Sequence, residues 1–503
     1  MIPGFIDAHI HIESSMLTPS RFAAAATVHG TVGAVSDPHE IANVLGKEGI
    51  DFMLRDAAEV PFHFVFGAPS CVPATPYETN GATLGPSEIE ALLDRDEIGY
   101  LSEVMNFPAV IKGERETIAK IEAAKRAGKP VDGHAPGLRG YDLDRYISAG
   151  ITTDHESTSL EEAEEKIEKG MKILIREGSA AKNFDALAPL IGRFPDRVMF
   201  CSDDRHPDDL SKGHINDLVV EAVRMGYDVF DVLRIACINP AEHYNMDTGR
   251  LEAGESADFV LVEDLESFRV LETVISGDTV AREGRSLMEI SGRTHRPNLF
   301  RVSLRAPDDF DYSLQCERIE VIDVLDHELF TIEELVETKK TTAGTLPSIE
   351  DDILKITVVN RYESSARPSI AFVRNFGLSR GAIASSVAHD SHNIIAVGCS
   401  DEVIARAVNA VISSKGAIVA TDGADIEILP LPVAGLMSDM DASTVAKSYE
   451  KLNHFVKSKL GSGLDAPFMT LSFMALLVIP ELKLSDKGLF DGKEFHYVPL
   501  CAK

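Results

Sequence analysis

Over residues 2 to about 246, short apolar runs alternate with amphipathic stretches, and this alternation constrains the fold more than any other feature of the chain. The runs include residues 32–35, 62–66, 99–101, 130–133, 151–153 and 197–200. Between them lie helix-like segments such as residues 114–127, 160–168 and 214–225. Parallel strands need long crossovers, usually helical, so repeated strand-then-helix sequence predicts a parallel sheet. The residues able to do chemistry fall at the C-terminal ends of the runs. In a closed (β/α)8 barrel that end is the catalytic face. An open doubly wound sheet also places ligands there, but no Gly-x-Gly-x-x-Gly follows any early run. The expectation is an α/β chain whose residues 1–246 form a (β/α)8 barrel.

The first run ends in His9-Ile10-His11. Residues i and i+2 share one face of a strand, so both imidazoles project together and can hold a metal ion between them. Taken alone, the pair suits the wet face of a strand equally well. Its company downstream is what matters. Glu103, His134, His155 and Asp203 each follow an apolar run. Four imidazoles and two carboxylates, without a thiolate, suit zinc, manganese or ferrous iron. One bridging carboxylate would let them hold two metals, which can share a hydroxide and lower its pKa toward neutrality.

A chain of 503 residues has room for two to four domains. Its net charge of −31 argues against nucleic acid or an anionic membrane as partner. The six cysteines, Cys71, Cys201, Cys237, Cys316, Cys399 and Cys501, show no Cys-x-x-Cys spacing, so neither a zinc–thiolate site nor a disulfide scaffold is expected. There is no basic segment followed by an apolar stretch at the start, and no uncharged apolar run of membrane-spanning length. A cytoplasmic protein is expected, a homo-oligomer (most simply a homodimer) on general grounds.

Beyond residue 246 the character changes. Residues 248–254 are turn-rich, and residues 257–262 and 271–278 read as strands, so residues 247–297 are expected to form a small β domain. Residues 298–503 read as a C-terminal α/β domain, with strand candidates at 319–324, 353–359 and 394–397 and helix candidates at 401–414 and 444–459.

Longer words then carry a resemblance. Pro3-Gly4-Phe5-Ile6-Asp7-Ala8-His9-Ile10-His11 looks like the first-strand signature of the amidohydrolase superfamily. Continuing through Ile12-Glu13-Ser14-Ser15, and with Ser36-Asp37-Pro38-His39-Glu40, Ser102-Glu103-Val104-Met105-Asn106 and Ser202-Asp203-Asp204-Arg205-His206, the chain resembles the prokaryotic adenine deaminase family. Ala388-His389-Asp390-Ser391-His392-Asn393 and Pro430-Leu431-Pro432-Val433-Ala434-Gly435 extend the likeness into the third region. The resemblance implies an adenine aminohydrolase that yields hypoxanthine and ammonia by attack of metal-held hydroxide on C6. It implies two divalent metals, Mn²⁺ first, with Fe²⁺ or Zn²⁺ as alternatives. His9 and His11 then match the pair on one metal, Glu103 the bridging carboxylate, His134 and His155 the ligands of the other, and Asp203 the aspartate that touches metal and handles the proton.

The chemistry also needs a proton at N1 of the purine. Glu156, Asp37 and Glu40 are the candidates, with turn or helix capping as the alternative role of Asp37 and Glu156. Ser70 and Cys71 are candidates for the base pocket, and Arg139 for a guanidinium pointed at the purine or for a structural ion pair. The His389-Asp390-Ser391-His392 cluster could close the barrel mouth, bind another metal or hold its own domain together, with a structural or lid role ahead of catalysis. No aromatic residue stands out as a stacking platform. In the family that this chain resembles, further chain precedes the His-x-His strand and helps to build the small β domain. That domain is therefore expected to be incomplete here, leaving the strand at 257–262 with an exposed edge. Competing expectations are another amidohydrolase acting on a different nucleobase or cyclic amide, a single-metal deaminase, and a non-catalytic relative.

Overall fold

The computed structural model of the protein describes residues 1–179, 181–290, 295–312, 316–343 and 345–502. A two-residue strand, β1 (Ile2–Pro3), is followed by eight parallel strands: β2 (Phe5–Ile10), β3 (Thr31–Ser36), β4 (His63–Ala68), β5 (Ile98–Val104), β6 (Val131–Gly133), β7 (Thr153–Asp154), β8 (Lys172–Arg176) and β9 (Val198–Cys201). Strands β2 to β6 pair in chain order, as do β7 to β9. Two seams join these halves. At one, Ile10 bridges to Asp203, with Asp203 N donating to His9 O at 2.9 Å and His11 N to Asp203 O at 3.3 Å. At the other, Thr152 N donates to Val131 O at 2.9 Å. The chain is thus an α/β barrel, as its alternating pattern implied.

The strands are apolar on both faces because one side fills the barrel and the other meets helices. All six residues of β2 and of β3 are buried. At the second seam a Cβ on Gly133 would lie 2.4 Å from the carbonyl oxygen of Thr153. Glycine lets β6 come close to β7 just where His134 emerges. Strand β8 is absent from the predicted set. Its apolar stretch, Ile173-Leu174-Ile175, is short and framed by Lys172 and Arg176, which masks it as surface sequence.

An antiparallel sheet of order β1-β10-β11-β12-β13 follows, built from β10 (Phe259–Val262), β11 (Val270–Ile275), β12 (Asp278–Arg282) and β13 (Arg285–Ser286). The exposed edge expected for the strand at 257–262 is corrected here. Ile2 pairs with Val260 and Pro3 with Phe259, so β10 has a neighbour on each side. Residues 291–294 of the segment expected to end this domain lie outside the described residues.

The third region holds an eight-stranded sheet of β14 (Arg318–Val324), β15 (Thr331–Glu337), β16 (Ile353–Val359), β17 (Ser369–Arg374), β18 (Ala382–Ser385), β19 (Ile394–Gly398), β20 (Ala417–Thr421) and β21 (Ile426–Pro430), ordered β15-β14-β17-β16-β19-β18-β20-β21. Only the β14–β17 pairing is parallel. The helices Asp401–Ser414 and Ala442–Phe455 fall where apolar spacing predicts them. One continuous apolar core runs from the barrel helices into this sheet. The loop between β18 and β19 carries His389 to His392 to the barrel mouth. Cys316 and Cys501 are joined by a disulfide, with Cα atoms 5.5 Å apart. Cysteine spacing did not signal this pair, because 185 residues separate its members. No helix among the described residues is long and apolar enough to cross a membrane.

Candidate metal centre

The register of the barrel brings six strand-end residues to one mouth. His9 and His11 point inward from the end of β2, both buried. Asp203 follows β9 with φ of 54°, a left-handed conformation that costs an ordinary side chain some strain and here turns the carboxylate back over the barrel. Asp203 Oδ1 lies 3.3 Å from His9 Nε2 and 3.1 Å from His11 Nε2. Glu103, from the end of β5, divides its oxygens. Oε1 lies 3.4 Å from His11 Nε2, whereas Oε2 lies 2.7 Å from His134 Nδ1 and 3.3 Å from His155 Nε2.

The contacts of 3.1–3.4 Å fit metal ligation, whereas His134 and Glu103 at 2.7 Å are hydrogen-bonded to each other. Nitrogen and oxygen ligands about 2.0–2.2 Å from one cation stand roughly 3–3.5 Å from each other. Both ring nitrogens of His9 are buried without a hydrogen-bond partner, and ligation of a cation through Nε2, the nitrogen that faces Asp203, would satisfy one of them. The tautomer of His11 agrees. Its Nδ1 lies 3.2 Å from the carbonyl oxygen of Asp37, which can only accept, so Nδ1 carries a proton and Nε2 is the nitrogen left to face a cation. The donor set is nitrogen and carboxylate oxygen throughout and suits divalent cations.

Arg176, at the end of β8, is the residue that sequence reasoning missed. It is buried and its Nη1 donates to Asp203 Oδ2 at 2.7 Å and to Glu156 Oε1, while Nη2 donates to Glu156 Oε2 at 3.2 Å. Burial alone would raise these carboxyls. For Asp203 the Arg176 guanidinium and the His11 and His9 imidazoles overcome it and hold the carboxyl well below its usual range. For Glu156 the opposing groups are Arg176, His134 and His155. Glu103 is likewise held low against burial by His134, His155 and His11. His9 is pushed down by burial and by the neighbouring His155, whose ring stacks on it at 4.1 Å.

A second layer comes from the loop after β3. Asp37 accepts from Ser102 Oγ at 2.7 Å and from the His39 backbone N at 3.1 Å, so its capping role is real. His39, inside a motif that carried the resemblance yet given no role, places Nδ1 3.3 Å from Asp37 Oδ2 and 3.5 Å from Glu103 Oε1. The third region closes over this layer. His389 Nδ1 lies 3.1 Å from Glu40 Oε1, and Asp390 Oδ1 lies 3.7 Å from His39 Nε2. Burial would lower the His389 pKa, but Glu40 carries it up to about 9. Two loops remote in sequence are therefore tied together at the barrel mouth.

Three predicted substrate contacts are placed elsewhere. Ser70 Oγ donates to the Glu103 carbonyl at 2.6 Å, and Cys71 lies beside it, so both sit behind the Glu103 backbone in a separate cavity with Lys120. Arg139 is half exposed and paired with Glu165 at 2.8 Å, the structural alternative. The cavity over the cluster is lined instead by His11, His39, Glu40, Glu103, His134, His155, Glu156, Arg176 and Asp203, together with Leu329, Phe473, Leu476, Val478 and Ile479 of the third region.

Comparison with known proteins places the chain in a family. A model of the amidohydrolase family matches residues 1–280, and a model of the adenine deaminase C-terminal domain matches residues 328–496. An adenine deaminase of Sulfurovum sp. is 58% identical over 503 residues, which cover all of this chain and 92% of that protein. The chain belongs to the adenine deaminase family. An adenine deaminase of Salinibacter ruber is 57% identical over 499 residues, covering 99% of this chain and 91% of the relative. One from Methanosarcina barkeri is 50% identical over 511 residues, covering 100% and 92%. In this family member both matched segments supply walls of the same cavity, so the barrel and the third region build the site together.

Proposed function

We propose that the chain hydrolyses adenine to hypoxanthine and ammonia at the barrel mouth. One observation carries this reading: Glu103 faces His11 with one oxygen and His134 and His155 with the other, so a single carboxylate spans two donor groups. His9, His11, Asp203 and Glu103 Oε1 would hold one divalent cation, and Glu103 Oε2, His134 and His155 the second. When bound, the cations supply Lewis acidity and a water acidified toward neutral pH. Manganese fits the nitrogen and carboxylate donors, with ferrous iron and zinc as chemical alternatives.

The chain's own groups do the rest. Asp203, with Oδ1 toward the imidazoles and Oδ2 on Arg176, takes the proton of the attacking water and returns one to the departing amino nitrogen. Glu156 lines the cavity, whereas Asp37 sits behind His39. Glu156, held ionised by Arg176, is therefore the carboxylate placed to take the proton released as the attacking water ionises and pass it to N1, while Asp37 and Glu40, beside His39 and His389, position those rings. The test is ammonia release from adenine by metal-reconstituted protein, beside adenosine, guanine, cytosine and dihydropyrimidines. Turnover of adenine ahead of the others supports the reading; turnover of another base alone overturns the assignment to adenine.

A further inference from the structure

His134 and His155, the two imidazoles assigned to the second cation, stand on opposite sides of a break in the barrel. Strand β6, which leads into His134, belongs to the sheet of β2 to β6, and β7, which leads into His155, to the sheet of β7 to β9. No ladder among the described residues therefore sets the spacing of the two rings. Each is tied to its own half. His134 N donates to Tyr146 Oη at 3.0 Å, and that hydroxyl donates to the Val104 carbonyl at the end of β5 at 2.9 Å. Asn183, past β8, donates from Nδ2 to the carbonyls of His155 and Ser157 at 3.2 and 3.1 Å. One fully buried lysine spans the break. Lys166, on the helix Leu160–Glu168, donates from Nζ to the Ala135 carbonyl at 2.8 Å, beside His134, and to Asp154 Oδ2 at 2.9 Å, beside His155. Asp154 also crosses the break with its other oxygen, accepting from Ala135 N at 2.9 Å. Ser157 Oγ at 3.1 Å and Glu162 Oε1 at 2.7 Å complete the shell of the ammonium, and Glu162 Oε1 accepts from Gly137 N at 2.9 Å as well.

We propose that Lys166 is a positioning residue for the second cation: it rivets the loop of His134 to the loop of His155 and so fixes the spacing of the two imidazoles that would hold the ion. The inference rests on the two-cation reading of the site. A lysine taken wholly out of water is tolerated only where acceptors replace its hydration, and here four oxygens share its three N–H donors. Ala135 and Asp154 are the immediate chain neighbours of His134 and His155, so a shift at the ammonium is passed to both rings. The first donor group is supported differently. Backbone bonds join it across the other seam, from Asp203 N to His9 O and from His11 N to Asp203 O. Loss of Lys166 therefore loosens one cation and spares the other.

The experiment titrates the full chain, dialysed free of metal, with Mn²⁺. Elemental analysis counts the bound ions, electron paramagnetic resonance reads whether they are paired, and circular dichroism confirms the fold. Wild type, Lys166→Met and Lys166→Met/Glu162→Gln are compared; the double variant neutralises one of the carboxylates that the single variant leaves unpaired. Lys355→Met is the control. Lys355 is also a buried lysine, bonded to the Phe310 carbonyl at 2.7 Å and to Asp401, but it belongs to the third region and does not line the cavity. Both Lys166 variants are expected to bind one Mn²⁺ with wild-type affinity and the other about 10–100-fold more weakly, the scale of losing an outer-shell partner. The signal of a coupled ion pair should give way to that of an isolated ion, and excess Mn²⁺ should restore the lost ammonia release. Lys355→Met is expected to lower the melting temperature and keep both affinities. A folded Lys166 variant that binds both ions as the wild type does overturns the proposal. So does equal weakening of both ions, or the same selective weakening in Lys355→Met. Failure of the two-cation reading looks different: the wild type itself then saturates at one equivalent.

Discussion

Arg176 Nη1 donates to Asp203 Oδ2 at 2.7 Å inside the barrel mouth, and the same guanidinium holds Glu156. One buried cation therefore orients the two carboxylates to which acid–base work is assigned. Its strand, β8, joins the otherwise separate supports of His155 and Asp203.

Arg176→Met removes the partner of two buried carboxylates, a change of the kind that destabilises by about 3–5 kcal/mol. A drop in kcat of roughly 10²-fold or more is expected, the scale of positioned acid–base help. Arg176→Lys should restore part of it, since a point charge keeps the field but loses the fork. Steady-state ammonia release and a thermal melt read both effects. An unchanged pH profile of kcat in the methionine variant would argue against the assigned role.

Glu103→Gln replaces the one group that faces both donor sets. It is expected to lose at least one equivalent of metal and to cut activity by ~10²-fold or more. Elemental analysis of dialysed protein counts the metal. Full retention of two equivalents would remove Glu103 from its bridging role.

Chelation should abolish turnover and lower the melting temperature, because cations that bind only the folded state stabilise it by mass action. Readdition of manganese, iron or zinc under anaerobic conditions, titrated against activity, is expected to saturate at two equivalents per chain. Saturation at one would favour a single-metal deaminase.

The His389–Glu40 contact carries a pH signature. The folded-state pKa of His389 is up at about 9, above the ordinary imidazole value of 6.5, chiefly because Glu40 outweighs the effect of burial. A raised histidine pKa means that the folded state holds the proton more tightly. The stabilisation is fully present below pH 6.5 and is lost as pH rises through about 9. Protection of the 386–393 loop against hydrogen exchange, corrected for intrinsic rates, is expected to fall over that window in the wild type. It should be flat in His389→Asn.

Arg139→Ala is the contrasting case. Its guanidinium lies on the surface beside Glu165. Ammonia release should stay within about twofold of wild type, as for surface pairs in general. A larger loss would return Arg139 to the substrate pocket.

Much of the site is legible along the chain because barrel strands repeat their geometry. His9, His11, Glu103, His134, His155 and Asp203 each follow an apolar run, and parallel pairing in register delivers run ends to one mouth whatever the helices between them do. Ser70 follows a run just as they do, yet its hydroxyl turns to the Glu103 carbonyl. One residue of rotation at a strand end decides between facing the cavity and facing the loop behind it, and no composition signal reports that. Arg176 escaped notice for a related reason. A strand with a charge at each end reads as surface until the barrel closes around it.

The order of short apolar runs and helical stretches, together with the residue types at their ends, was enough to specify a parallel barrel and a nitrogen–oxygen donor set, since both follow from local periodicity and ligand chemistry. Which carboxylate spans both donor groups, which cation holds Glu156 beside Asp203, and which apolar residues wall the cavity were decided only by the tertiary structure. Those relations join residues tens to hundreds of positions apart, such as Glu103 with His155 and His389 with Glu40. Contacts of that kind are set by how the closed barrel and the sheet of the third region pack as solid bodies, and a linear pattern has no term for it.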